Sequence, residues 1–449
     1  MNCASIVVLP KVPLYDVHLG KGSGTSRVKL LRSPHCDFTS SDCHHFPVVV
    51  NASGIPWTPC TLYLLSKLKN FELPNYKTLT SIANDLLSYK RFLDEMQIAY
   101  DSFPRRKLLR PTYRYKAYLI EKISVGELRT STARRKIGRV VYFYRWLLEE
   151  NIISIEHDAW RENDLSISFR GDFGFNLFKT VSSTDLHIKD QVQHHPEYIY
   201  DGGKLSPLSV TAQKELAYHL KLIGNTEMTL IFLIALTSGA RLQSACTIRI
   251  EDIRDGGYDT ELEAIRIGRH SLIDSKFKKS QNILLPRWLM TKLRVYSESP
   301  RARRRRAVSK HYIENKSAQY LFLTKSGKPY YISEKDPLIS SYRYPPKGEA
   351  VRKFLSKTLK ASSELSKELK NFRFHDLRAT FGLNLVEQLS ESVSHGSLSK
   401  LDILMIVKER MGHSRIETTE GYLNYKLNKK EVLKTQKAYE DYLRELIDG

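Results

Sequence analysis

The longest apolar run in this chain, MTLIFLIAL from Met228 to Leu236, has only nine residues. A helix that crosses a membrane needs about 20 consecutive apolar residues, so this run is too short to be a membrane span. It is typical of a helix that is buried on all sides within a protein core. The sequence therefore predicts a folded protein with at least one domain large enough to enclose this helix.

Length and charge narrow the possible functions. The 449 residues suggest two to four domains, at about 100–200 residues each. Lys and Arg number 71 against 49 Asp and Glu, a net charge of +22, and 41% of the residues are hydrophobic, which excludes wholesale disorder. The positive surplus favours a polyanionic partner, nucleic acid before an anionic membrane surface, with a role in solubility alone as the alternative.

The N-terminal region and the cysteines indicate the compartment. The first residues, MNCASIVVLPKVPLYD, lack a basic leader, so we expect no secretory signal. Between Ser33 and Phe46 two cysteines lie near three histidines, but C-x6-C is not the spacing of compact zinc modules, and we expect an irregular surface loop. Five irregularly spaced cysteines fit free thiols in a reducing compartment such as the cytoplasm: Cys3, Cys36, Cys43, Cys60 and Cys246.

Apolar residues recur at helical spacing from about Tyr76, and a second helix is expected to begin at an N-cap, Ser131. The other face of this second helix carries arginines interleaved with aromatic residues: Arg134, Arg135, Arg139, Tyr142, Arg145 and Trp146. Such a face suits contact with a duplex backbone, and an ordinary solvated face is the alternative.

The pattern along the chain predicts a mainly α fold with a small antiparallel β-sheet, of the α+β class. The sheet would come from the strand-like segments ELEAIRIG, QNILLP and YLFL. The arginine run Arg301–Arg306 is expected to lie in a solvated loop insertion, which contacts either DNA or nothing. We expect an N-terminal extension of unknown role over residues 1–70, a helical domain over 71–185, a polar linker over 186–205 and a C-terminal domain over 206–449.

Four separated segments in the C-terminal half contain residues suited to chemistry on a phosphodiester. Two arginines can offset charge on the non-bridging oxygens, a phenol activated by a neighbouring base can attack phosphorus, and a lysine can protonate the departing oxygen. The segments are TSGARLQS with Arg241, HDLRATFG with His375 and Arg378, MGHSRIETTEGYLNY with His413 and Tyr422, and DSKFKKSQNILLP with Lys276, Lys278 and Lys279.

In their order along the chain, with the lysine segment second, the four segments resemble the tyrosine recombinase (phage integrase) family, whose signature is an Arg, a hairpin Lys, H-x-x-R, G-H and a nucleophilic Tyr about nine residues later. The resemblance covers about residues 205–430 by motif, and residues 76–155 are similar to the family's helical core-binding domain by position and pattern. It implies a C-shaped clamp on double-stranded DNA. It also implies strand cleavage and rejoining through a 3′-phosphotyrosine link, with no cofactor, metal or ATP.

The resemblance assigns the catalytic roles to Arg241, Lys276, His375, Arg378, His413 and Tyr422. Among the lysines, the S-K-F context favours Lys276, whereas counting back from Pro286 favours Lys278. Tyr425 is the competing nucleophile, three residues after Tyr422, but the spacing from His413 favours Tyr422. Two separations are longer than is usual in the family: Arg241 to His375, and Arg378 to His413. We expect loop insertions there, in PPKGEAVRK and the arginine run and in QLSESVSHGSLSKLD.

The last stretch, NKKEVLKTQKAYEDYLRELIDG, is expected to be an amphipathic helix that either packs on its own core or, as is common in the family, on a neighbouring subunit of a tetramer. The function expected is that of a site-specific recombinase that integrates or excises a mobile element, with accessory DNA-bending or directionality proteins as further partners and no membrane partner. The alternatives are a non-catalytic DNA-binding regulator on the same fold and an enzyme that relaxes DNA like a type IB topoisomerase.

Overall fold

Helices dominate the structure, and each of the five sheets found among the described residues has two antiparallel strands. The computed structural model describes residues 3–21, 28–34, 42–68, 76–170, 176–189, 198–254, 261–275, 279–394 and 398–448. The chain divides into two compact units, Met1–Val192 and Gln193–Gly449. The α+β class expected from the sequence is confirmed. No helix in the described ranges is long and apolar enough to cross a membrane.

The first unit combines antiparallel strand pairs with helices. Strands β1 and β4, β2 and β3, and β5 and β6 pair with each other. The elements are β1 (Ser5–Pro13), β2 (Tyr15–Lys21), β3 (Val28–Pro34), β4 (Asp42–Val50), α1 (Thr58–Ser66), α2 (Tyr76–Glu95), a 3-10 turn (Lys107–Leu109), α3 (Pro111–Ser124), α4 (Thr130–Glu149), β5 (Glu162–Arg170) and β6 (Asn176–Thr184).

One apolar core joins the N-terminal strands of this unit to its helices. Phe46 of β4 and Tyr63 of α1 are buried in the same cluster as the apolar faces of α2 and α4. The Tyr89 hydroxyl of α2 donates a hydrogen bond to the Tyr144 hydroxyl of α4 at 2.7 Å, and Tyr144 donates to the carbonyl of Tyr100 at 2.5 Å. The described residues up to 68 therefore share the core of the helices and do not form a separate extension.

Three local expectations for this unit are wrong. Residues 42–50 form strand β4 rather than an irregular loop, because their apolar side chains are buried in the core. Residues 162–184 were expected to be helical and instead form the β5–β6 hairpin, for which the alternation of apolar and polar residues in ENDLSISFR is the physical reason. Helix α4 begins at Thr130 with Arg129 as its N-cap residue, not at Ser131, and no side chain caps it.

The basic face predicted for α4 is partly neutralised within its own unit. Arg135 pairs with the buried carboxylate of Asp85 at 2.5 Å, and Arg145 pairs with Glu162 at 2.8 Å. Tyr142, by contrast, is largely exposed. At least two of these arginines therefore stabilise the fold, and the duplex contact of this face stays a prediction.

The second unit holds the segments with the candidate chemistry. Its strand pairs are β7–β8 and β9–β10. The elements are β7 (Ile199–Tyr200), β8 (Lys204–Leu205), α5 (Val210–Ile223), α6 (Thr226–Ser238), α7 (Leu242–Cys246), β9 (Leu262–Ile267), β10 (Gln281–Pro286), α8 (Arg287–Glu298), α9 (Pro300–Ala307), α10 (Glu349–Lys353), a π-helical turn (Phe354–Leu359), α11 (Lys367–Asn371), α12 (Asp376–Ser394), α13 (Lys400–Met411) and α14 (Ile416–Asp448).

The apolar run from Met228 to Leu236 lies within helix α6, at the centre of this unit's main core. Ile231, Phe232, Ile234 and Ala235 are fully buried there. Two of the three strand-like segments are strands, β9 and β10. The third, YLFL, forms only isolated bridges at its two ends, to Arg249 and to Pro329.

Several polar stretches expected to be loops or linker are ordered elements. Residues 198–205, placed in the linker, form the β7–β8 hairpin, and the chain that follows is fixed to α12 because the Ser206 N–H donates to Asp376 at 3.1 Å. In the expected loop insertion between Arg378 and His413, α12 continues to Ser394, and α13 begins after a capping box formed by Ser399. Residues 395–397 lie outside the described ranges. The C-terminal helix is continuous with the helix of Tyr422, as the single helix α14.

The arginine run forms helix α9 rather than a solvated loop. Arg301 makes two hydrogen bonds to Glu227 at 2.7 and 2.8 Å, and buried Arg305 pairs with the same carboxylate at 3.0 Å. Glu227 lies in the first turn of α6 and is fully buried, and Tyr296 donates to it at 3.1 Å. These arginines therefore stabilise a buried carboxylate, and the long spacing between Arg241 and His375 includes a structural element of the core.

This ion-pair cluster generates a stability prediction. Glu227→Ala should lower the free energy of unfolding by about 3–5 kcal/mol, because removing one partner of a buried pair leaves the other charge uncompensated. Glu298→Ala is the matched control: its exposed pair with Arg303 should contribute less than about 1 kcal/mol. Urea unfolding of the two variants measures the difference. Equal losses would show that Glu227 contributes no more than a surface pair.

Candidate active site

The structure brings together five of the six residues to which the sequence assigned chemistry. Each lies at or near the end of a helix, where the backbone changes direction. Arg241 is the N-cap residue of α7, His375 precedes α12, Arg378 lies in its first turn, His413 follows α13, and Tyr422 lies in the second turn of α14. Lys276, with Lys278, lies outside the described residues.

Arg378 is the centre of this arrangement. Its guanidinium is buried, and it donates to the carbonyl of Gly239 at 2.8 Å and to the carbonyl of Met411 at 2.6 Å. These carbonyls belong to the residues that end α6 and α13. Arg378 therefore fixes the chain two residues before Arg241 and two residues before His413.

The third partner of Arg378 is Asp201, in the turn of the β7–β8 hairpin. The Nε atom of Arg378 donates to Oδ2 of Asp201 at 2.6 Å, and His413 donates to the same oxygen through Nε2 at 3.1 Å. The Tyr422 hydroxyl donates to it at 3.3 Å. Arg241 forms an ion pair with the other carboxylate oxygen, with 3.7 Å between Nη2 and Oδ1. One buried carboxylate thus connects four of the predicted residues.

The electrostatics of these groups follow from burial and from one another. Burial alone would raise the pKa of Asp201, but the hydrogen bond from His413 and the charge of Arg378 hold it far below the ordinary range, so the carboxylate is ionised. Burial lowers the pKa of Arg241 to about 10, and the charge of Arg378 acts in the same direction. The site therefore carries two close positive charges that need an anion between them.

Both histidines are held neutral at pH 7. Burial lowers the pKa of His375, and the neighbouring charge of Arg378 lowers it further. Burial also lowers the pKa of His413, although Asp201 opposes the shift. In His413, Nε2 donates to Asp201, so Nδ1 accepts from the Thr419 hydroxyl at 2.9 Å. In His375, Nε2 donates to the backbone carbonyl of Asp201 at 3.3 Å.

Tyr422 has no exposed surface. Its ring lies against that of His413, with 5.6 Å between the centroids, and it packs on α12 where Gly382 has no side chain. Burial raises the pKa of the phenol well above its ordinary value, and the negative charge of Asp201 raises it further. Tyr425, the competing nucleophile, is only partly buried at the edge of the same apolar cluster.

The G-H pair of the sequence has a physical explanation at Gly412. This residue ends α13 with φ of +63°, in the left-handed region, and a Cβ there would lie 1.7 Å from the side-chain oxygen of Gln281 on β10. Glycine is therefore favoured by the turn itself, because other residues are strained at this φ, whereas the flexible Gln281 side chain could move away from a Cβ. The turn directs His413 toward Asp201.

Lys279 is the one hairpin lysine that the structure describes. Its side chain is exposed, and it donates to the Gly412 carbonyl at 3.3 Å. It lines a pocket together with Arg241, Arg378 and His413. The open choice between Lys276 and Lys278 falls on residues outside the described ranges.

Asp201 is the residue of this candidate site that sequence reasoning missed. The segment YDGGKL was interpreted as part of a linker because its Asp-Gly-Gly composition is typical of turns. It does form a turn, with the Asp201 N–H donating to the Gly203 carbonyl at 3.1 Å. Nothing in the local sequence indicates that the turn inserts its carboxylate among residues 40 to 221 positions away.

Residues 214–429 match the family model described as the phage integrase family. The match covers 216 of the 449 residues, and it is this segment that is similar to the family. The segment includes Arg241, His375, Arg378, His413 and Tyr422, the described residues that the sequence assigned to the family's signature. Asp201 lies before it.

Two solved structures are similar to this chain at low sequence identity. The Tn1549 transposon integrase in complex with circular intermediate DNA is 14% identical, with a TM-score of 0.45, and the match covers 81% of this chain and 94% of that one. A lambda integrase dimer bound to a COC′ core site is 13% identical, with a TM-score of 0.47, and the coverage is again 81% and 94%. No protein with curated annotation matches the chain.

The close packing of Tyr422 on α12 predicts that a side chain at position 382 destabilises the fold. A Cβ there would lie 2.4 Å from the Tyr422 ring and 3.0 Å from the Met411 methyl group. Gly382→Ala should lower the free energy of unfolding by about 1–3 kcal/mol, the usual cost of overpacking. In a Tyr422→Ala background the sign should reverse, because alanine is favoured over glycine within a helix by about 1 kcal/mol.

A double-mutant cycle from urea unfolding of the four proteins measures this coupling. An equal loss in both backgrounds would show that the Tyr422 ring does not limit the space at position 382.

Proposed function

We propose that this chain is a site-specific DNA recombinase that cleaves and rejoins DNA strands through a 3′-phosphotyrosine intermediate, for integration or excision of a mobile element. The observation that carries the proposal is the convergence of Arg241, Arg378, His413 and Tyr422 on one anion, the Asp201 carboxylate. Groups that gather around one buried anion are suited to binding a phosphate. Similarity to the family supplies the reaction class.

In the proposed cleavage step, the Tyr422 oxygen attacks phosphorus and the bond from phosphorus to the 5′ oxygen breaks. The forks of Arg241 and Arg378 offset the charge on the non-bridging oxygens, and His413 donates a hydrogen bond to one of them. His375 takes the proton from the phenol. It can act as this base because its lowered pKa keeps the imidazole neutral at pH 7. Lys276 protonates the departing 5′ oxygen, and rejoining runs these transfers in reverse.

We propose double-stranded DNA as the partner of both units, and a homotetramer as the recombining assembly. The net charge of +22 and the exposed Tyr142 on the basic helix α4 support duplex binding. The lambda integrase to which the chain is similar is a dimer on its core site. The C-terminal part of α14, with Tyr439 exposed, is the segment proposed to contact a neighbouring subunit.

The nucleophile is tested with DNA that flanks the coding region, nicked next to the cleavage site so that the covalent intermediate is trapped. The wild type should give a protein–DNA band on a denaturing gel without added metal. Tyr422→Phe should abolish it, because the phenylalanine ring has no oxygen to attack phosphorus.

Tyr425→Phe is the matched control, one turn further along α14, and should retain the band. A band that persists in Tyr422→Phe and vanishes in Tyr425→Phe would move the nucleophile. Specific binding of the DNA with no band from any variant would favour the non-catalytic regulator.

The general acid is tested by comparing Lys276→Ala, Lys278→Ala and Lys279→Ala on two substrates. One has the natural bridging oxygen at the cleaved bond and the other has a bridging sulfur, which departs as a thiolate without needing a proton because thiols are more acidic than alcohols. Lys276→Ala should lose about 100-fold or more in cleavage of the oxygen substrate, in the range that general acids contribute, and should recover on the sulfur substrate.

The other two lysine variants serve as controls and should cleave both substrates at rates close to those of the wild type. Recovery by sulfur in Lys278→Ala or Lys279→Ala instead would reassign the role to that lysine. A loss in Lys276→Ala that sulfur does not restore would make it a binding residue.

A further inference from the structure

We propose that Asp201 is an internal mimic of the phosphate that the site cleaves, and that it holds the integrase in a self-blocked state until a DNA phosphate displaces its carboxylate. The inference rests on the proposed function and adds a regulation of the same site. Asp201 lies outside the segment that matches the phage integrase family, at residues 214–429. The blocking group is thus supplied by the chain that leads into the family domain.

The Asp201 carboxylate accepts from the groups that the proposed mechanism assigns to the phosphate. Its Oδ2 accepts from Arg378 at 2.6 Å and from His413 at 3.1 Å, and its Oδ1 lies 3.7 Å from Arg241. Two guanidinium groups and one imidazole N–H are the donors that the proposed mechanism directs to the non-bridging oxygens of the phosphate. Because Asp201 accepts from these donors, it occupies the position that a substrate oxygen requires.

The Asp201 carboxylate and a phosphodiester carry charges of the same sign. Asp201 is ionised within this site, and a phosphodiester also carries a negative charge. Two anions cannot share the same pair of arginines without strong repulsion, since a buried site screens charge poorly. Substrate binding and the observed position of the Asp201 carboxylate therefore exclude each other.

The proposed nucleophile and the proposed base are both engaged with Asp201. Tyr422 has no exposed surface and its hydroxyl donates to Asp201, so the nucleophile cannot reach a phosphate in solution. The proposed base is engaged as well, because His375 Nε2 lies 3.3 Å from the backbone carbonyl of Asp201. One residue thus holds both arginines, both histidines and the tyrosine in contacts that the reaction has to break.

The hairpin that carries Asp201 is well anchored, so release has to come from the turn. Ile199 and Leu205, at its base, are buried in the same apolar cluster as Tyr422. The turn itself continues with Gly202 and Gly203, both at positive φ, which have no side chains to restrict it. A conformational change of the Asp201 side chain and of this turn can therefore free the anion site while the base of the hairpin stays packed.

The opposite role, a permanent positioning residue that orients Arg378 and His413 during catalysis, predicts the opposite result. A self-blocking carboxylate suppresses anion binding, so its removal should raise the affinity for phosphate. A positioning carboxylate preserves the geometry of the arginines, so its removal should lower that affinity or leave it unchanged.

The experiment measures the binding of inorganic phosphate to the full-length chain by isothermal titration calorimetry, with no DNA present. Asp201→Asn, which keeps the shape of the side chain, and Asp201→Ala should each bind phosphate at least about tenfold more tightly than the wild type, because a close like charge is removed. Adding Arg241→Ala to either variant should abolish the gain. Asp336→Asn is the matched control, since Asp336 is equally buried but paired with His311, and its affinity should equal that of the wild type.

A second readout follows the nucleophile. Nitration of tyrosine, mapped by mass spectrometry, should leave Tyr422 unmodified in the wild type and in Asp336→Asn, and should modify it in the Asp201 variants. Thermal unfolding confirms that each protein is folded, and the isosteric Asp201→Asn decides the result if Asp201→Ala does not fold. Folded Asp201→Asn with unchanged or weaker phosphate binding would overturn the proposal.

Formation of the covalent complex on the nicked DNA tests the proposed function separately from the role of Asp201. Asp201→Asn should form the covalent complex faster than the wild type. Tighter phosphate binding without any covalent complex would support the self-blocked anion site and contradict the phosphotyrosine mechanism. A covalent complex that depends on Tyr422, together with no gain in phosphate binding, would support the mechanism and overturn the role of Asp201.

Discussion

The second unit depends on the burial of one guanidinium. A charged group taken out of water has to be paired and hydrogen-bonded, or the unit would lose more free energy than its packing supplies. Arg378 meets this requirement with the carbonyls of Gly239 and Met411 and the carboxylate of Asp201. Because these partners come from the ends of two helices and from the turn of a hairpin, satisfying one side chain also fixes where the reactive residues of three segments meet.

The parts of the site that sequence reasoning could predict are those where the chemistry permits few residue types. Arginines at 241 and 378, with His413 nine residues before Tyr422, form a pattern that has little other use, and the structure brings these four side chains to one carboxylate. Helix α6 was equally predictable, because a continuous apolar run of that length has to be buried. In both cases the local sequence contains the physical reason for the structure.

The parts that could not be predicted depend on partners far away in the sequence. The arginines of α9 look like solvated charges until Glu227, more than 70 residues earlier, is found buried between them. Asp201 likewise looks like an ordinary turn residue, because the side chains that its carboxylate contacts lie up to 221 positions away in the sequence. Local composition describes the turn correctly, but it contains no information about what the turn is inserted into.

Helix α14 connects the active site to the C-terminal end of the chain. It runs without interruption from Ile416 to Asp448, and its first turns carry both Thr419, which donates to His413 at 2.9 Å, and Tyr422, which donates to Asp201. These two residues are three positions apart and lie on the same face of the helix. A displacement of this end of α14 that exposes Tyr422 therefore also separates Thr419 from His413. The contacts that restrain the nucleophile and those that orient the phosphate-side histidine break together, so the helix couples any force on its exposed C-terminal part to both.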